Sequence, residues 1–249
     1  MAQTVTLDNI KYYCTTYDEL IELILNSIAE RKQTLITYIN QYVFNYSVDN
    51  LSFKELLQNF DIVHPDGTGI YNALKFLYKF QTKIQRINGS DLYPKLIERI
   101  SKTGHKIFYI GGIEQTKIVI DSNSEKFCSA GVISNSGFKK NTDIGKRLNL
   151  VSPEIVFVGL GTPYQEEIAV MLKQETKVPV IICCGSGIDI IAGSYKRPPV
   201  LIRNLHLEWL YKLIFDFNRT WKRYVIGIPV FIFKILYYKI TSQSKKNSG

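Results

Sequence analysis

The sequence predicts an α/β protein built on a doubly wound, mostly parallel sheet. Three features carry the prediction. Short apolar runs without polar alternation recur through the first two thirds of the chain, each run ends in a turn rich in glycine, and helical patterns follow the turns. Strands buried on both faces lack alternation, and parallel strands need crossover helices, so the pattern is a sheet covered on both sides. This is a Rossmann-like arrangement, in which ligands bind outside the carboxyl ends of the strands. With 45% hydrophobic and 21% charged residues, the 249-residue chain is globular rather than disordered or collagen-like.

An amphipathic helical stretch, 17–31, precedes the first buried strand, Thr34–Ile39 (TLITYI). A brief run at 61–63 enters His64-Pro65-Asp66-Gly67-Thr68-Gly69, and a helical pattern over 70–80 follows. Residues 106–110 (KIFYI) form a strand ending at Gly111-Gly112, with a further short strand at 131–134. Residues 155–158 (IVFV) end in GLGTP before a helix over 164–173. Residues 178–183 (VPVIIC) end in CGSG.

The chain divides into an α/β body, 1–197, a helical appendage, 198–240, and a polar tail, 241–249, expected to be without structure. Residues 201–217 read as one helix with Leu205, Trp209, Leu210, Leu213 and Phe217 near one face. Residues 224–240 are apolar and aromatic, with Pro229 starting or kinking a helix. Charge follows the same division. Of 31 Lys and Arg and 22 Asp and Glu, 11 cations but only 2 acids lie beyond residue 195, leaving 20 of each before it. The appendage is therefore basic and amphipathic, and its partner is anionic: nucleic acid, anionic lipid or a phosphorylated substrate. Because its cations are mixed with a 17-residue apolar stretch, a membrane surface fits better than nucleic acid. That stretch is interrupted by Lys234 and Lys239 and spans roughly 25 Å as a helix, short of a ~30 Å hydrocarbon core, so an interfacial helix is expected. A homo-oligomer that shelters this apolar surface is compatible with it. Cys14, Cys128, Cys183 and Cys184 form no CxxC pair and read as reduced, mostly buried thiols of a cytosolic protein; no signal peptide is evident at the N-terminus.

Each motif has a plain reading beside a functional one. Asp66 either caps a helix or stands as a carboxylate at the ligand edge, able to take a proton from a hydroxyl, with Gly67 and Gly69 letting a substrate approach the backbone. Gly111-Gly112, Gly159-Leu160-Gly161 and Gly185-Ser186-Gly187 are either ordinary βα turns or backbone N–H groups converging on phosphate. None is a Walker A or complete GxGxxG. Gln165 is a solvated first-turn residue or a sugar or base contact. Glu166 and Glu167 most simply complement the helix dipole. Asp189 is a helix-dipole partner or a polar site residue. His64, His105 and His206 are dispersed, no DxD occurs, and neither a metal nor a cofactor is implied. Arg197, Arg203, Arg219 and Arg223 lie on a solvated face or neutralise a diphosphate.

HPDGTGI, KIFYIGG, IVFVGLGTPYQEE, GSGIDIIAGSYKRPP and LHLEWLYKLI, in this order over roughly residues 20–240, resemble the bacterial WecG/TagA/CpsF glycosyltransferase family. The resemblance implies an inverting hexosyltransferase that moves a sugar from a UDP-sugar to a polyprenyl-diphosphate-linked saccharide in surface polysaccharide synthesis, at the inner face of the plasma membrane. It assigns Asp66 as general base, Asn40 and Gln165 as substrate contacts, and Arg219 and Arg223 to an appendage that closes over the site. Tyr38 stands next to Thr37 where the family has Thr, Tyr164 replaces a Lys, His206 a Gly and Ile188 a Phe. Tyr38 and Tyr164 are expected to line the donor or acceptor site, so the sugar is N-acetylmannosamine-type or another hexose such as glucose. A non-catalytic nucleotide-sugar-binding subunit of a polysaccharide assembly complex is the alternative.

Overall fold

The computed structural model describes residues 2–138, 143–194, 198–205 and 207–247. It opens with a hairpin of β1 (Gln3–Leu7) and β2 (Ile10–Cys14), which the sequence reading did not include. Asp8 and Asn9 form its two-residue turn, both with φ near +55° (51° and 61°), as a hairpin turn of that length requires. The main strands are β3 (Thr34–Ile39), β4 (Ile62–Pro65), β5 (Ile107–Gly111), β6 (Ser129–Ile133), β7 (Ile155–Gly159) and β8 (Val180–Cys183). Among the described residues they form one parallel sheet in the order β4-β3-β8-β7-β5-β6.

Alternate residues of each strand enter different cores, which explains the absence of polar alternation. Phe108 and Ile110 pack with Val156, Val158, Ile181 and the helices Gln41–Asp49, Leu51–Leu57, Thr68–Leu77 and Tyr164–Glu175. Ile107 and Tyr109 pack with Ile155, Phe157, Ile182 and the helices Tyr17–Ala29 and Gly89–Ser101. The connection from β4 to β5 therefore starts on one face and ends on the other. Its segment 78–88 crosses at the carboxyl end of β4, the sheet's outer strand, and this crossing brings Arg86 and Asn88 beside Asp66.

The appendage departs from the sequence reading in three ways. Residues 201–217 are not one helix but three short ones, Val200–Asn204, Glu208–Phe215 and Phe217–Trp221. Asp216 leaves the helical region (φ −139°), consistent with the poor fit of Asp inside helices. Second, the apolar stretch is entered through a π-helical turn, Lys222–Ile226, and Pro229 stands in the first turn of the helix that follows, Gly227–Asn247. A proline gives no N–H to the carbonyl four residues back and crowds it, and the widened turn accommodates that ring. Third, the helix runs on to Asn247, into the segment expected to lack structure. Its stretch Lys222–Thr241 has mean hydropathy 1.4 and is, by length and composition alone, long and apolar enough to cross a bilayer. One face is nevertheless taken by the body: Phe231 and Ile235 join the first core, and Phe44 meets Phe231 edge-on at 5.5 Å between ring centroids. Lys234 Nζ donates to Asn45 O (3.2 Å) and Asp49 Oδ1 (2.7 Å), and Asn45 Nδ2 donates to Gly227 O (2.7 Å).

Candidate active site

Because all six main strands run the same way, the residues that leave their carboxyl ends line up along one edge. Asn40 and Asp66 stand side by side, since Ile39 pairs with Pro65 in the register of β3 and β4. Asn40 is buried and caps the helix that follows: Oδ1 accepts from the backbone N–H of Tyr42 and of Val43, each at 3.1 Å. Asp66 is held at three backbone points. Its N–H donates to Ile39 O (2.9 Å), the N–H of Gly67 donates to Ile87 O (2.9 Å), and Oδ1 accepts from the N–H of Gly89 (2.9 Å). The carboxylate is thus oriented by the crossing segment rather than used to cap its own helix, whose N-terminus at Gly67 has no side-chain cap.

Both residues, with Gly67 and Gly69, line a cavity of about 610 Å³. Its floor is polar and includes Asn72, Arg86 and Asn88. The opposite wall is apolar and comes from the last helix through Ile228, Phe231, Ile232, Ile235 and Leu236. Arg223 also lines the cavity. Its guanidinium carbon sits 5.1 Å from the Tyr42 ring centroid, and its buried Nε has no hydrogen-bond partner among the described residues. Arg197 lies outside the described residues. So does the side chain of Arg219, whose backbone falls in the helix Phe217–Trp221.

Along the rest of the edge come Tyr38, then Gly185, Gly161 and Gly111. Gly111 (φ +124°) has no room for a side chain, because an added Cβ would lie 2.5 Å from Gly159 O. Gly112 follows in the same turn, and Asp189 secures that turn: its Oδ1 accepts from Ile113 N–H (3.0 Å) and Thr116 Oγ1 (2.6 Å). Asp189 stands in the first turn of the helix Gly187–Ile191, as the early-helix reading has it, and its carboxylate also reaches a neighbouring helix. Tyr164 is half exposed, with its ring edge-on to Phe138 at 5.9 Å. The edge from β4 to β5 covers four strand spacings, roughly 19 Å.

A family model described as glycosyl transferase WecG/TagA/CpsF family matches residues 5–245. The chain belongs to this family. Among its relatives are proteins of Staphylococcus aureus strains NCTC 8325 and MRSA252, each named N-acetylglucosaminyldiphosphoundecaprenol N-acetyl-beta-D-mannosaminyltransferase. Each is 26% identical over 226 residues, which is 89% of this chain and 87% of the relative. The family assignment makes the chain a glycosyltransferase, and the cavity beside Asp66 is its candidate active site.

In this WecG/TagA/CpsF member the Gln165-Glu166 pair lies beneath the edge, and both side chains are fully buried. Gln165 is therefore not a solvated first-turn residue. Its Oε1 accepts from Gly185 N–H (2.9 Å), and its Nε2 donates to Glu166 Oε1 (2.8 Å). Glu166 stands in the first turn of its helix, as expected of a dipole partner, but it is buried rather than solvated. Its Oε1 also accepts from Thr37 and Thr162 hydroxyls (both 3.2 Å), while Oε2 is buried without a partner among the described residues. Burial pushes this carboxyl up to about 7, against the opposing hydrogen bonds from Gln165, Thr37 and Thr162. Burial also pushes the Tyr38 phenol well up, assisted by Glu166 and Asp66, so Tyr38 keeps its proton. His64 is fully buried with Nε2 unpartnered among the described residues, and burial lowers its pKa although Asp66 opposes the shift. The sequence reading missed Thr37 as a partner of Glu166, and missed Arg86, Asn88 and Glu208. None sits in a glycine-rich motif; the crossing of segment 78–88 brings Arg86 and Asn88 to the site, while Glu208 comes from the helix Glu208–Phe215 and was marked only by the run LHLEWLYKLI.

Proposed function

We propose that the chain is an inverting glycosyltransferase that moves a sugar from a UDP-sugar to a polyprenyl-diphosphate-linked saccharide, with Asp66 as general base. The observation that carries this reading is the two-sided cavity. A polar floor holding an oriented carboxylate faces an apolar helix, and that pairing suits an acceptor with a sugar at one end and a lipid at the other. One Asp66 oxygen is fixed by Gly89 N–H, and the other makes no hydrogen bond among the described residues. That oxygen takes the proton from the acceptor hydroxyl as the hydroxyl oxygen attacks the anomeric carbon. The bond from that carbon to the β-phosphate oxygen breaks in the same step, UDP leaves, and the configuration inverts.

The donor lies along the edge in this reading, with its nucleotide toward Gly111 and Gly161 and its sugar toward Asn40, Tyr38 and Gly185. Backbone N–H groups of the turns meet the phosphates. Arg223, whose Nε is unpartnered among the described residues, offsets charge on the departing diphosphate, a role the family resemblance extends to Arg219 and the basic segment at Arg197. The relatives' name supports an N-acetylmannosamine-type sugar and an undecaprenyl-diphosphate acceptor. Tyr38 and Tyr164 on the edge leave another hexose such as glucose as the competing donor. A lipid-linked acceptor supports a membrane-associated enzyme, and a UDP-sugar donor favours the cytoplasmic face of the plasma membrane, where the exposed side of the last helix and its cations would meet anionic lipid.

The test is UDP release by the full-length protein offered a panel of UDP-sugars with a lipid-diphosphate-sugar acceptor. Acceptor-dependent release with one donor is expected. Asp66→Asn should reduce it about 10²–10⁴-fold while the fold is kept. UDP-sugar binding without release across donors and acceptors would replace this reading with that of a non-catalytic binding subunit.

A further inference from the structure

Among the described residues, polar contacts between the short helices after Pro198 and the body converge on one place. Glu208 Oε1 accepts from Asn88 Nδ2 at 2.9 Å and lies 3.9 Å from the Arg86 guanidinium. Arg203 lies 3.5 Å from Asp91. The Asn88 contact is the stronger hold on Glu208, since a short hydrogen bond to a carboxylate outweighs an ion contact at the limit of range.

Asn88 has further connections, its carbonyl accepting from the N–H groups of Asp91 and Leu92 (both 2.9 Å). Its Oδ1 accepts from Ser90 N–H (3.0 Å) and caps the helix Gly89–Ser101. Its own N–H donates to Tyr17 Oη (2.9 Å), and Tyr17 Oη donates to Arg86 O (3.1 Å). The peptide unit that joins Asn88 to Gly89 supplies the N–H on Asp66 Oδ1. Fixing the Asn88 side chain therefore fixes the donor that orients the carboxylate. Electrostatics point the same way. Glu208 borders a cavity proposed to receive a diphosphate, where a carboxylate repels the ligand unless it is used inward. Arg86 and Asn88 are that inward use.

We propose that Glu208 is a positioning residue, coupling the docking of the helices over 200–221 to the orientation of Asp66 through Asn88 and the Gly89 N–H. The inference rests on the reading of Asp66 as general base. With the helices docked, the carboxylate is held; with them lifted, Asn88 loses its outer anchor and the Gly89 donor loosens.

The experiment uses the full chain with Glu208→Ala and Glu208→Gln. Gln keeps a carbonyl to accept from Asn88 Nδ2, so it should rescue. Glu208→Ala is expected to lower kcat about 10–100-fold, the scale of a small misplacement, with the donor KM within about threefold of wild type. Glu208→Gln should stay within about threefold in kcat. By amide hydrogen exchange, the Gly89 N–H should exchange at least about tenfold faster in Glu208→Ala and near the wild-type rate in Glu208→Gln. An unchanged Gly89 exchange rate in a folded Glu208→Ala overturns the proposal. So does a folded Glu208→Gln that loses as much kcat as Asp66→Asn, and that outcome decides the matter even if the Ala variant does not fold. Exchange needs no turnover. An inert wild type with Glu208-dependent Gly89 protection would remove the transferase reading and leave the linkage standing, whereas an active wild type whose Gly89 ignores Glu208 does the reverse.

Discussion

On the sheet side of the cavity, side chains are placed by hydrogen bonds of fixed length and direction, while on the helix side they are placed by apolar burial. Asp66, Asn40 and the Gln165-Glu166 pair each have named backbone or side-chain partners between 2.8 and 3.2 Å. The opposing helix is attached chiefly through Phe231 and Ile235 in the core, with Lys234 at its flank. Reacting atoms need angular precision, which hydrogen bonds supply. A surface for a lipid chain needs only shape and hydrophobicity, which a helix face supplies at any nearby rotation. The two walls should therefore respond to different perturbations.

The largest effect should come from the helix wall. Phe231→Ala removes a side chain that is 5% exposed and in edge contact with Phe44. A buried Phe→Ala change costs about 3–5 kcal/mol, which for a chain of this size lowers Tm by roughly 10 °C. Differential scanning calorimetry checks this. A shift of only one or two degrees would mean that the helix is not part of the folding unit. The same contact makes truncation after Pro198 a blunt test of function, since it would expose Phe44 and Val43 as well as remove the appendage.

The sheet wall is probed through Glu166 and pH. Its carboxyl is raised from an ordinary 4.5 to about 7 by burial. Between those values the folded protein keeps a proton that the unfolded chain has released. Stability from this group is therefore full below about pH 4.5 and falls as pH rises through about 7. Glu166→Gln keeps the carbonyl for Thr37, Thr162 and Gln165 and cannot ionise. Relative to wild type, it should become more stable as pH rises from 5 to 8, by on the order of 1–3 kcal/mol. Urea midpoints across that range measure the difference. His64 acts in the opposite sense, because burial lowers its pKa, but it is common to both proteins and cancels in the comparison. A flat difference would mean that Glu166 is ionised in both states.

Much of the sheet wall's location was legible in the sequence, because buried parallel strands and their glycine turns are local signals. Thr34–Ile39 is the observed β3, and Asp66 and Asn40 do meet at its edge. The hairpin 3–14 was legible in principle through Asp8-Asn9 between alternating residues, Val5 and Leu7 before it and Ile10 and Tyr12 after it. What could not be read is what depends on chain crossings. Glu166 in Tyr-Gln-Glu-Glu looks like a first-turn acid until the strand carrying Thr37 lies beneath it. Arg86 and Asn88 look like loop residues until the connection passes from one face of the sheet to the other. The break at Asp216 shows a third limit: an apolar stripe over 201–217 matches one helix or several short ones equally well.

The smallest stability effect should fall two residues from the largest. Phe233 is 73% exposed, on the same helix as Phe231 but turned away from the body. Phe233→Ser should change stability by less than about 0.5 kcal/mol, as exposed substitutions do. Its consequence should appear elsewhere. If the outer face of the helix is the membrane-facing surface, this side chain enters the lipid interface with a transfer free energy of about 1.5–3 kcal/mol. Binding to vesicles containing anionic lipid, measured by co-sedimentation, should then weaken about 10–100-fold. Raising salt should weaken the wild type further by screening its cations. A variant that is destabilised as much as Phe231→Ala would place Phe233 in the core and reverse the faces of the helix. A variant that is stable yet binds vesicles as well as wild type would move the membrane-facing surface to the short helices, where Phe215 and Phe217 are also exposed.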